Sequence, residues 1–188
     1  CSAIVVDDGT VSLFYPEIRE KEISSGICDV SYEHSRFSRM LYHKSLVDVV
    51  SVNINFFSLY KLQLPLSDCI IENRFDYLTN NLNNVVSGID LSIYNTVIIG
   101  QPLIELKAIS NDNYKKCISE IQNQNEGNML YVSHPAEFSY PFADLGVKII
   151  KFPLPFECMV KLLNPNTAIY GFTSSALINA KLLCPEKR

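Results

Sequence analysis

A histidine-proline pair in the second half of the chain is the first candidate for chemistry. His134 and Pro135 follow the apolar residues 129–132. Proline fixes the next φ and has no N–H, which predicts that the histidine lies at the end of a strand and not inside a helix. Open α/β sheets bind ligands at the carboxyl ends of their strands. The plain alternative is a surface histidine in a turn between a strand and a loop.

Other groups that can contact a ligand also stand where an apolar run ends or a helical pattern begins. They are Gly100 and Gln101, Glu157, and Thr173, Ser174 and Ser175. Ser174 and Ser175 precede a helical pattern, and the N–H groups and positive dipole of a helix N-terminus favour a phosphate. Glu157 can accept hydrogen bonds from two ribose hydroxyls, and Gly100 lets the backbone approach a ligand closely. Together these groups resemble a nucleotide-sugar site. The alternatives are a plain N-cap, an acid in the first turn of a helix and a glycine that ends a strand.

The elements needed to position these residues alternate along the chain from residue 94 onward. The patterns predict strands at 96–99, 129–132, 147–152 and 167–170, and helices at 112–123, 157–163 and 176–183. We expect Asn111 or Asp112 to cap the first helix and Gly127 to close it. Repetition of strand, loop and helix predicts an α/β fold with a parallel sheet and crossover helices.

The first half of the chain is less regular. Residues 3–6 form a short apolar strand that ends in Asp7-Asp8-Gly9. Two acids and a glycine at that point make either a tight turn or a catalytic carboxylate at a cleft. Residues 73–92 are polar and rich in asparagine, which is typical of a connector.

Composition excludes several classes of protein. The chain has 188 residues, of which 47% are apolar, and a net charge of -4, so we expect a globular core and no binding of nucleic acid. Its six cysteines are widely spread and include no Cys-x-x-Cys pair, which argues against a zinc site or a disulfide scaffold and favours reduced cysteines. No apolar run approaches the roughly 20 residues of a membrane-spanning helix, and no signal peptide is recognisable.

Three short motifs occur along the chain in order: Asp7-Asp8-Gly9, His134-Pro135 and Ser174-Ser175. They resemble the D/E-D/E-G, His-Pro and Ser/Thr motifs of bacterial sialyltransferases. The short distance from His134 to Ser174, with Asp112 ahead of His134, is similar to the lipooligosaccharide and capsule sialyltransferases of glycosyltransferase family 52.

This resemblance implies a GT-B architecture, with Rossmann-like parallel sheets carrying helices on both faces. It implies an inverting, metal-independent transfer of sialic acid from CMP-sialic acid to a galactose-type hydroxyl of a bacterial surface glycan, without a cofactor. His134 would act as an acid on the leaving CMP phosphate, because a histidine can be cationic beside a phosphate. The expected nucleotide-binding residues are Gly100, Gln101, Pro135, Glu157, Thr173, Ser174 and Ser175. Among them, Glu157 belongs to a Pro-Phe-Glu segment similar to one that binds the cytidine ribose in related families.

Two carboxylates are candidates for the base that deprotonates the acceptor hydroxyl. The resemblance to family 52 favours Asp112, which also fits a plain capping aspartate. Analogy with other bacterial sialyltransferases favours Asp8 of the Asp7-Asp8 pair, although that motif can also shape a hinge between domains. We prefer Asp112.

A complete enzyme of this family needs an N-terminal acceptor domain, so we expect this chain to be part of a longer protein. Residues 1–30 would hold the last strand and hinge of that domain, 31–93 a linker or helical region, and 94–188 the domain that binds CMP-sialic acid. The resemblance also implies a homodimer, with elements exchanged between Ser31 and Leu91. We expect a cytoplasmic protein, with peripheral association at the inner face of the bacterial inner membrane.

Two other functions are open at this level. One is a GT-B transferase or epimerase that uses a UDP-sugar. The other is a Rossmann-type interaction domain without catalytic activity. Preference between CMP and UDP separates the first from the sialyltransferase hypothesis, and the absence of any nucleotide-induced stabilisation would favour the second.

Overall fold

The structure is a computed structural model. It describes residues 2–6, 13–17, 20, 24, 53–64, 68–76 and 90–185. The chain divides into two units, Cys1–Arg74 and Phe75–Arg188, and each contains its own parallel sheet. Asp8 and most of the segment expected to be exchanged in a dimer lie outside the described residues.

The described residues of the first unit form a sheet of three parallel strands. They are β1 (Ser2–Val6), β2 (Asn53–Ser58) and β3 (Cys69–Glu72), in the order β1-β2-β3. The strand predicted at residues 3–6 is therefore confirmed. Buried Phe56 of β2 stacks on Tyr15, with ring centroids 4.6 Å apart, so this pair covers part of the sheet.

The described residues of the second unit form four parallel strands and three α-helices. The strands are β4 (Tyr94–Ile99), β5 (Asn128–Ser133), β6 (Lys148–Lys151) and β7 (Ala168–Gly171). The helices are α1 (Asn111–Gln124), α2 (Phe156–Val160) and α3 (Ser175–Leu183). All seven predicted elements of this region are present. The helix expected at 157–163 is shorter in the structure. Here α2 has only five residues and ends at Val160.

The strand order is β6-β5-β4-β7. The chain therefore builds outward from β4 to β5 and β6, and then crosses back so that β7 pairs with the other edge of β4. In open α/β sheets, a ligand crevice forms at the carboxyl ends of the strands where the order reverses in this way. That position lies between β4 and β7.

Alternate residues of the central strands face two separate apolar clusters. Val97 and Leu130 pack with Met159 of α2 and Ala180 of α3. Ile98 and Tyr131, on the opposite face, pack with residues of α1, Tyr114 and Ile118. Successive side chains of a strand point to opposite faces, so α1 covers one face and α2 and α3 cover the other. This unit therefore has a parallel sheet with helices on both faces, which is compatible with the expected Rossmann-like fold.

The ends of α1 differ from the prediction. Ser110 is the N-cap, with extended φ and ψ, and its Oγ accepts the N–H of Asn113 at 3.3 Å. The prediction of Asn111 or Asp112 as the cap was wrong because three consecutive residues have good capping side chains and sequence does not say which one stays extended. At the other end Asn125 is the C-cap, and Gly127, with φ +93, lies in the turn before β5.

Candidate functional site

A cavity of about 420 Å³ opens at the carboxyl ends of the strands in the second unit. Five of the residues predicted for the site line it, and they are Gly100, His134, Pro135, Glu157 and Ser174. They follow β4, β5, β6 and β7 in turn, so segments far apart in sequence meet in one place. Apolar side chains complete the wall: Ile99, Val132, Phe152, Leu154 and Phe156, with Pro153 and Pro155.

The cavity wall combines a large apolar surface with a few polar groups. The described residues that line it include no lysine or arginine. Hydrogen-bonding side chains come from Ser133, His134, Glu157 and Ser174. This combination suits a ligand with a flat apolar part and several hydroxyl or oxygen groups, and it provides little positive charge for a highly charged ligand.

His134 is held by hydrogen bonds within its own turn. Its carbonyl oxygen accepts the N–H of Glu137 at 3.0 Å, which closes a four-residue turn with Pro135 at the second position, where proline is favoured. The ring nitrogen Nδ1 accepts the N–H of Ala136 at 3.1 Å. Because Nδ1 is an acceptor here, the neutral ring carries its proton on Nε2, and the exposed imidazole presents an N–H donor.

Glu137 is a buried acid beneath this turn that the sequence analysis missed. Only 3% of its surface is exposed. Its Oε2 accepts the backbone N–H of His134 at 2.7 Å, and its Oε1 accepts the hydroxyl of Tyr131 at 2.6 Å. The hydroxyl of Tyr131 lies 2.6 Å from that of Tyr114. Burial raises the pKa of Tyr114 to about 12, and burial also raises the pKa of Tyr131. Both tyrosines therefore remain protonated at neutral pH.

Gly100 stands where this network touches the end of β4. Its N–H donates to the carbonyl of Val132 at 2.8 Å, which extends the pairing of β4 with β5. A Cβ at this position would overlap Oε2 of Glu137 and come within 2.7 Å of the hydroxyl of Tyr131. The glycine is therefore required by the close approach of Glu137, a reason that differs from the direct ligand contact predicted from the sequence.

Gln101 and Thr173 join the loops after β4 and β7. The side chain of Gln101 accepts the N–H of Thr173 at 2.7 Å and donates to its hydroxyl at 3.1 Å. Neither residue is among those that line the cavity. The pair links the loops that follow β4 and β7, the two strands between which the order reverses. It therefore stabilises the edge of the sheet next to the cavity without contacting the cavity itself.

Ser174 and Glu157 both contribute to the end of the cavity nearest to α2 and α3. Ser174 is the N-cap of α3, and its Oγ accepts the N–H of Ala176 at 3.2 Å. Ser175 is the first residue of α3 and is not among the residues that line the cavity. Glu157 lies in the first turn of α2, where its Oε1 accepts the side-chain amide of Asn179 from α3 at 2.6 Å. A carboxylate has a second oxygen, so this contact leaves Glu157 able to accept from a ligand.

Asp112 is an exposed residue in the first turn of α1. This helix packs on the face of the sheet opposite to α2 and α3, and Asp112 is not among the residues that line the cavity. The structure therefore brings His134, Glu157 and Ser174 to one cavity and leaves Asp112 on the first turn of a helix outside it.

Comparison with models of protein families, with curated proteins and with solved structures finds no match to this chain. Within the described residues, no group of three or more histidine, cysteine, aspartate or glutamate side chains could hold a metal ion. None of the helices in the described part of the chain is both long and apolar enough to cross a membrane.

Glu105 lies in the loop after β4, where its carboxylate accepts two backbone hydrogen bonds. Its Oε1 accepts the N–H groups of Phe138 and Ser139, at 2.9 and 3.1 Å, and so ties the loop after β4 to the loop after β5. Desolvation acts to raise the pKa of Glu105, but the backbone N–H groups outweigh it, and the pKa is lowered. A carboxyl group with a lowered folded-state pKa contributes stability above its unfolded-state pKa, and this contribution is lost as the pH falls through the folded-state pKa.

We therefore expect Glu105→Gln to lose less stability than the wild type between neutral pH and about pH 3. The measurement is the free energy of unfolding in urea at several pH values. Glu126→Gln, which changes the same charge at an exposed position after α1, is the control and should follow the wild type. An equal loss in Glu105→Gln and the wild type would contradict the assignment.

Proposed function

We propose that the chain contains the donor-binding part of a GT-B sialyltransferase, which transfers sialic acid from CMP-sialic acid to a galactose-type hydroxyl of a bacterial surface glycan. One observation carries the proposal. His134, Glu157 and Ser174, from three of the motifs found in the sequence, line one cavity at the carboxyl ends of a parallel sheet. The order and spacing of the motifs supply the identity of the donor.

The cavity supports a specific orientation of CMP. The phosphate would contact Ser174 and the N-terminus of α3, where N–H groups and the helix dipole favour negative charge. The ribose hydroxyls would donate to Glu157, which Asn179 holds in place at 2.6 Å. Phe156 and Pro155 provide apolar surface on which the base can pack.

The scarcity of positive charge favours CMP over UDP. The diphosphate of a UDP-sugar carries two negative charges, whereas the phosphodiester of CMP-sialic acid carries one, and proteins commonly meet a diphosphate with arginine, lysine or a metal ion. No lysine or arginine is among the described residues that line this cavity. His134, Ser174 and the N-terminus of α3 are a better match for a single phosphate.

In the proposed reaction, the bond between the anomeric carbon of sialic acid and the phosphate oxygen breaks while the acceptor oxygen bonds to that carbon. The acceptor hydroxyl would pass its proton to a carboxylate. The two candidates are Asp112, which does not line the cavity, and Asp8, which lies outside the described residues. Negative charge develops on the leaving phosphate. His134 would stabilise it by donating a hydrogen bond from Nε2.

The hydrogen bond to Nδ1 refines the role expected for His134. A cationic ring would carry a proton on Nδ1, which would face the N–H of Ala136 now donating to that atom. The neutral ring keeps this hydrogen bond and still presents Nε2–H. In this conformation His134 is therefore suited to hydrogen-bond donation and less suited to full proton transfer. A phosphate that leaves as a dianion needs only a hydrogen bond from His134 and no proton.

The proposal is tested by incubating the full-length protein with CMP-sialic acid and a lactose-type acceptor. We expect transfer to the acceptor, or slow hydrolysis of the donor when the acceptor is left out. In a second experiment the melting temperature is measured as CMP or UDP is added. We expect CMP to raise it at a lower concentration than UDP does. Absence of both transfer and hydrolysis would contradict the proposal, a preference for UDP would favour a UDP-sugar enzyme, and no stabilisation by either would favour a non-catalytic domain.

A further inference from the structure

We infer that Glu137 is a positioning residue that fixes His134 relative to helix α1 through a buried chain of hydrogen bonds. The chain runs from Tyr114 of α1 to Tyr131 of β5, then to Glu137 and to the backbone N–H of His134. Its donor-acceptor distances are 2.6, 2.6 and 2.7 Å. Tyr114, Tyr131 and Glu137 are each at most 3% exposed.

The directions of these hydrogen bonds depend on Glu137. A backbone N–H can only donate, so Oε2 of Glu137 must accept from His134. Oε1 accepts the hydroxyl of Tyr131. Tyr131 has a single proton, so its oxygen must in turn accept the hydroxyl proton of Tyr114. A side chain with two acceptor oxygens at position 137 therefore orders the whole chain.

The surroundings leave this chain little freedom. The ring of Tyr131 lies 4.6 Å from that of Phe142, and the ring of Tyr114 stacks on Phe172 at 5.1 Å. Glu137 also lies close against Gly100, where an added Cβ would overlap Oε2. Buried polar groups that lose a partner cannot replace it with bulk water, so each hydrogen bond opposes movement of the others.

The consequence for catalysis rests on the proposed function. Tyr114 lies in the same helical turn as Asp112, one of the two candidate bases. The chain of hydrogen bonds therefore joins the turn that carries Asp112 to the turn that carries His134. In the turn that carries His134, the N–H of Ala136 donates a hydrogen bond to Nδ1 of the imidazole. Glu137 would thus set both the position of the His134 turn and the ring state that presents Nε2–H.

The test compares two replacements of Glu137. Glu137→Gln keeps the shape and one acceptor oxygen, which can serve His134 while the amide group donates to Tyr131. Glu137→Ala removes both acceptors. We expect kcat to fall by about tenfold in the glutamine variant and by about 10²-fold in the alanine variant, because small displacements of a reacting group have effects of that size. The Kd for CMP should change by less than about threefold, since Glu137 would act through His134 on the reaction step.

Tyr114→Phe gives a second test that keeps the volume of the core. It breaks the far end of the chain, and we expect kcat to fall by about threefold, an effect smaller than in Glu137→Gln. Tyr170→Phe is the matched control. It also removes a tyrosine hydroxyl that is hydrogen-bonded, to Asn125 at 3.0 Å, but lies outside this chain, so its kcat should equal that of the wild type.

Nuclear magnetic resonance of the imidazole provides a readout that does not require activity. The protein contains three histidines, so comparison with His134→Ala assigns the signals. The wild type should hold His134 as the Nε2–H form, and Glu137→Ala should show a mixture of the two neutral forms. If that mixture appears in a protein without transferase activity, the positioning role stands and the proposed function fails. If Glu137→Ala leaves both the signals of His134 and kcat unchanged, the positioning role is wrong.

Discussion

Replacement of His134 by alanine is expected to lower kcat for transfer from CMP-sialic acid by about 10²–10³-fold, the usual effect of removing one donor to a developing negative charge. The imidazole of His134 is exposed and lines the cavity. The turn that carries it is closed by a backbone hydrogen bond that does not depend on the side chain. Its removal should therefore leave the fold intact. The Kd for CMP should rise by less than about tenfold, because the charge on the phosphate grows only as the bond to sialic acid breaks.

His134→Gln distinguishes the two chemical roles of the histidine. The amide nitrogen of glutamine can take the place of Nε2 as an N–H donor, but an amide cannot transfer a proton at neutral pH. We expect the glutamine variant to recover about tenfold of the activity lost in His134→Ala, within the range of a single hydrogen bond to a charged group. Lys116→Ala, an exposed change on α1, is the control. Full activity in His134→Ala would contradict the proposed mechanism.

Replacement of Gly100 by alanine is expected to lower the free energy of unfolding by about 2–3 kcal/mol, in the upper part of the range for overpacked sites. The new Cβ would overlap the carboxylate of Glu137 and press on the hydroxyl of Tyr131. Neither group can move aside without breaking a hydrogen bond in a buried place. Urea unfolding of the variant and the wild type measures the difference.

Gly171→Ala is a matched control, because Gly171 ends the neighbouring strand β7. There the atoms nearest to a new Cβ would belong to the flexible side chain of Leu177, at 3.2 and 3.3 Å, and to Cβ of Ile99, at 3.6 Å. A loss below about 1 kcal/mol is therefore expected. A double variant of Gly100→Ala with Glu137→Ala adds a test of cause. The alanine at 100 should cost less when the carboxylate is absent. Equal costs in both backgrounds would show that Glu137 is not the reason for the glycine.

Local sequence patterns were sufficient to predict the strands and helices from residue 94 onward. Apolar runs bounded by glycine and proline marked β4 and β5, and the 3.6-residue period marked α1. The sheet order was not accessible in the same way. Pairing of β7 with β4 depends on a crossover past two other strands, and the sequence of β7 contains no local signal for its neighbour. The GT-B architecture stays a prediction, because it concerns the arrangement of two domains and not the order of strands within one sheet.

The sequence predicted the part of the site that lies at the ends of strands, but not the buried part beneath it. His134, Glu157 and Ser174 stand at the ends of strands or starts of helices, and parallel strands bring such ends to one edge of a sheet. Glu137 was missed because its burial depends on Tyr131 and Gly100, which lie in other segments and only meet it after folding. A glutamate three residues after a histidine looks like any solvated acid in a turn.

The most direct test of the central claim is a crystal structure of the protein with CMP bound. We predict that the phosphate lies within hydrogen-bonding distance, about 2.7–3.2 Å, of Nε2 of His134 and Oγ of Ser174, and that the ribose hydroxyls contact Glu157. Nucleotide bound at another place on the protein, with the cavity at the ends of β4 and β5 left empty, would contradict the account.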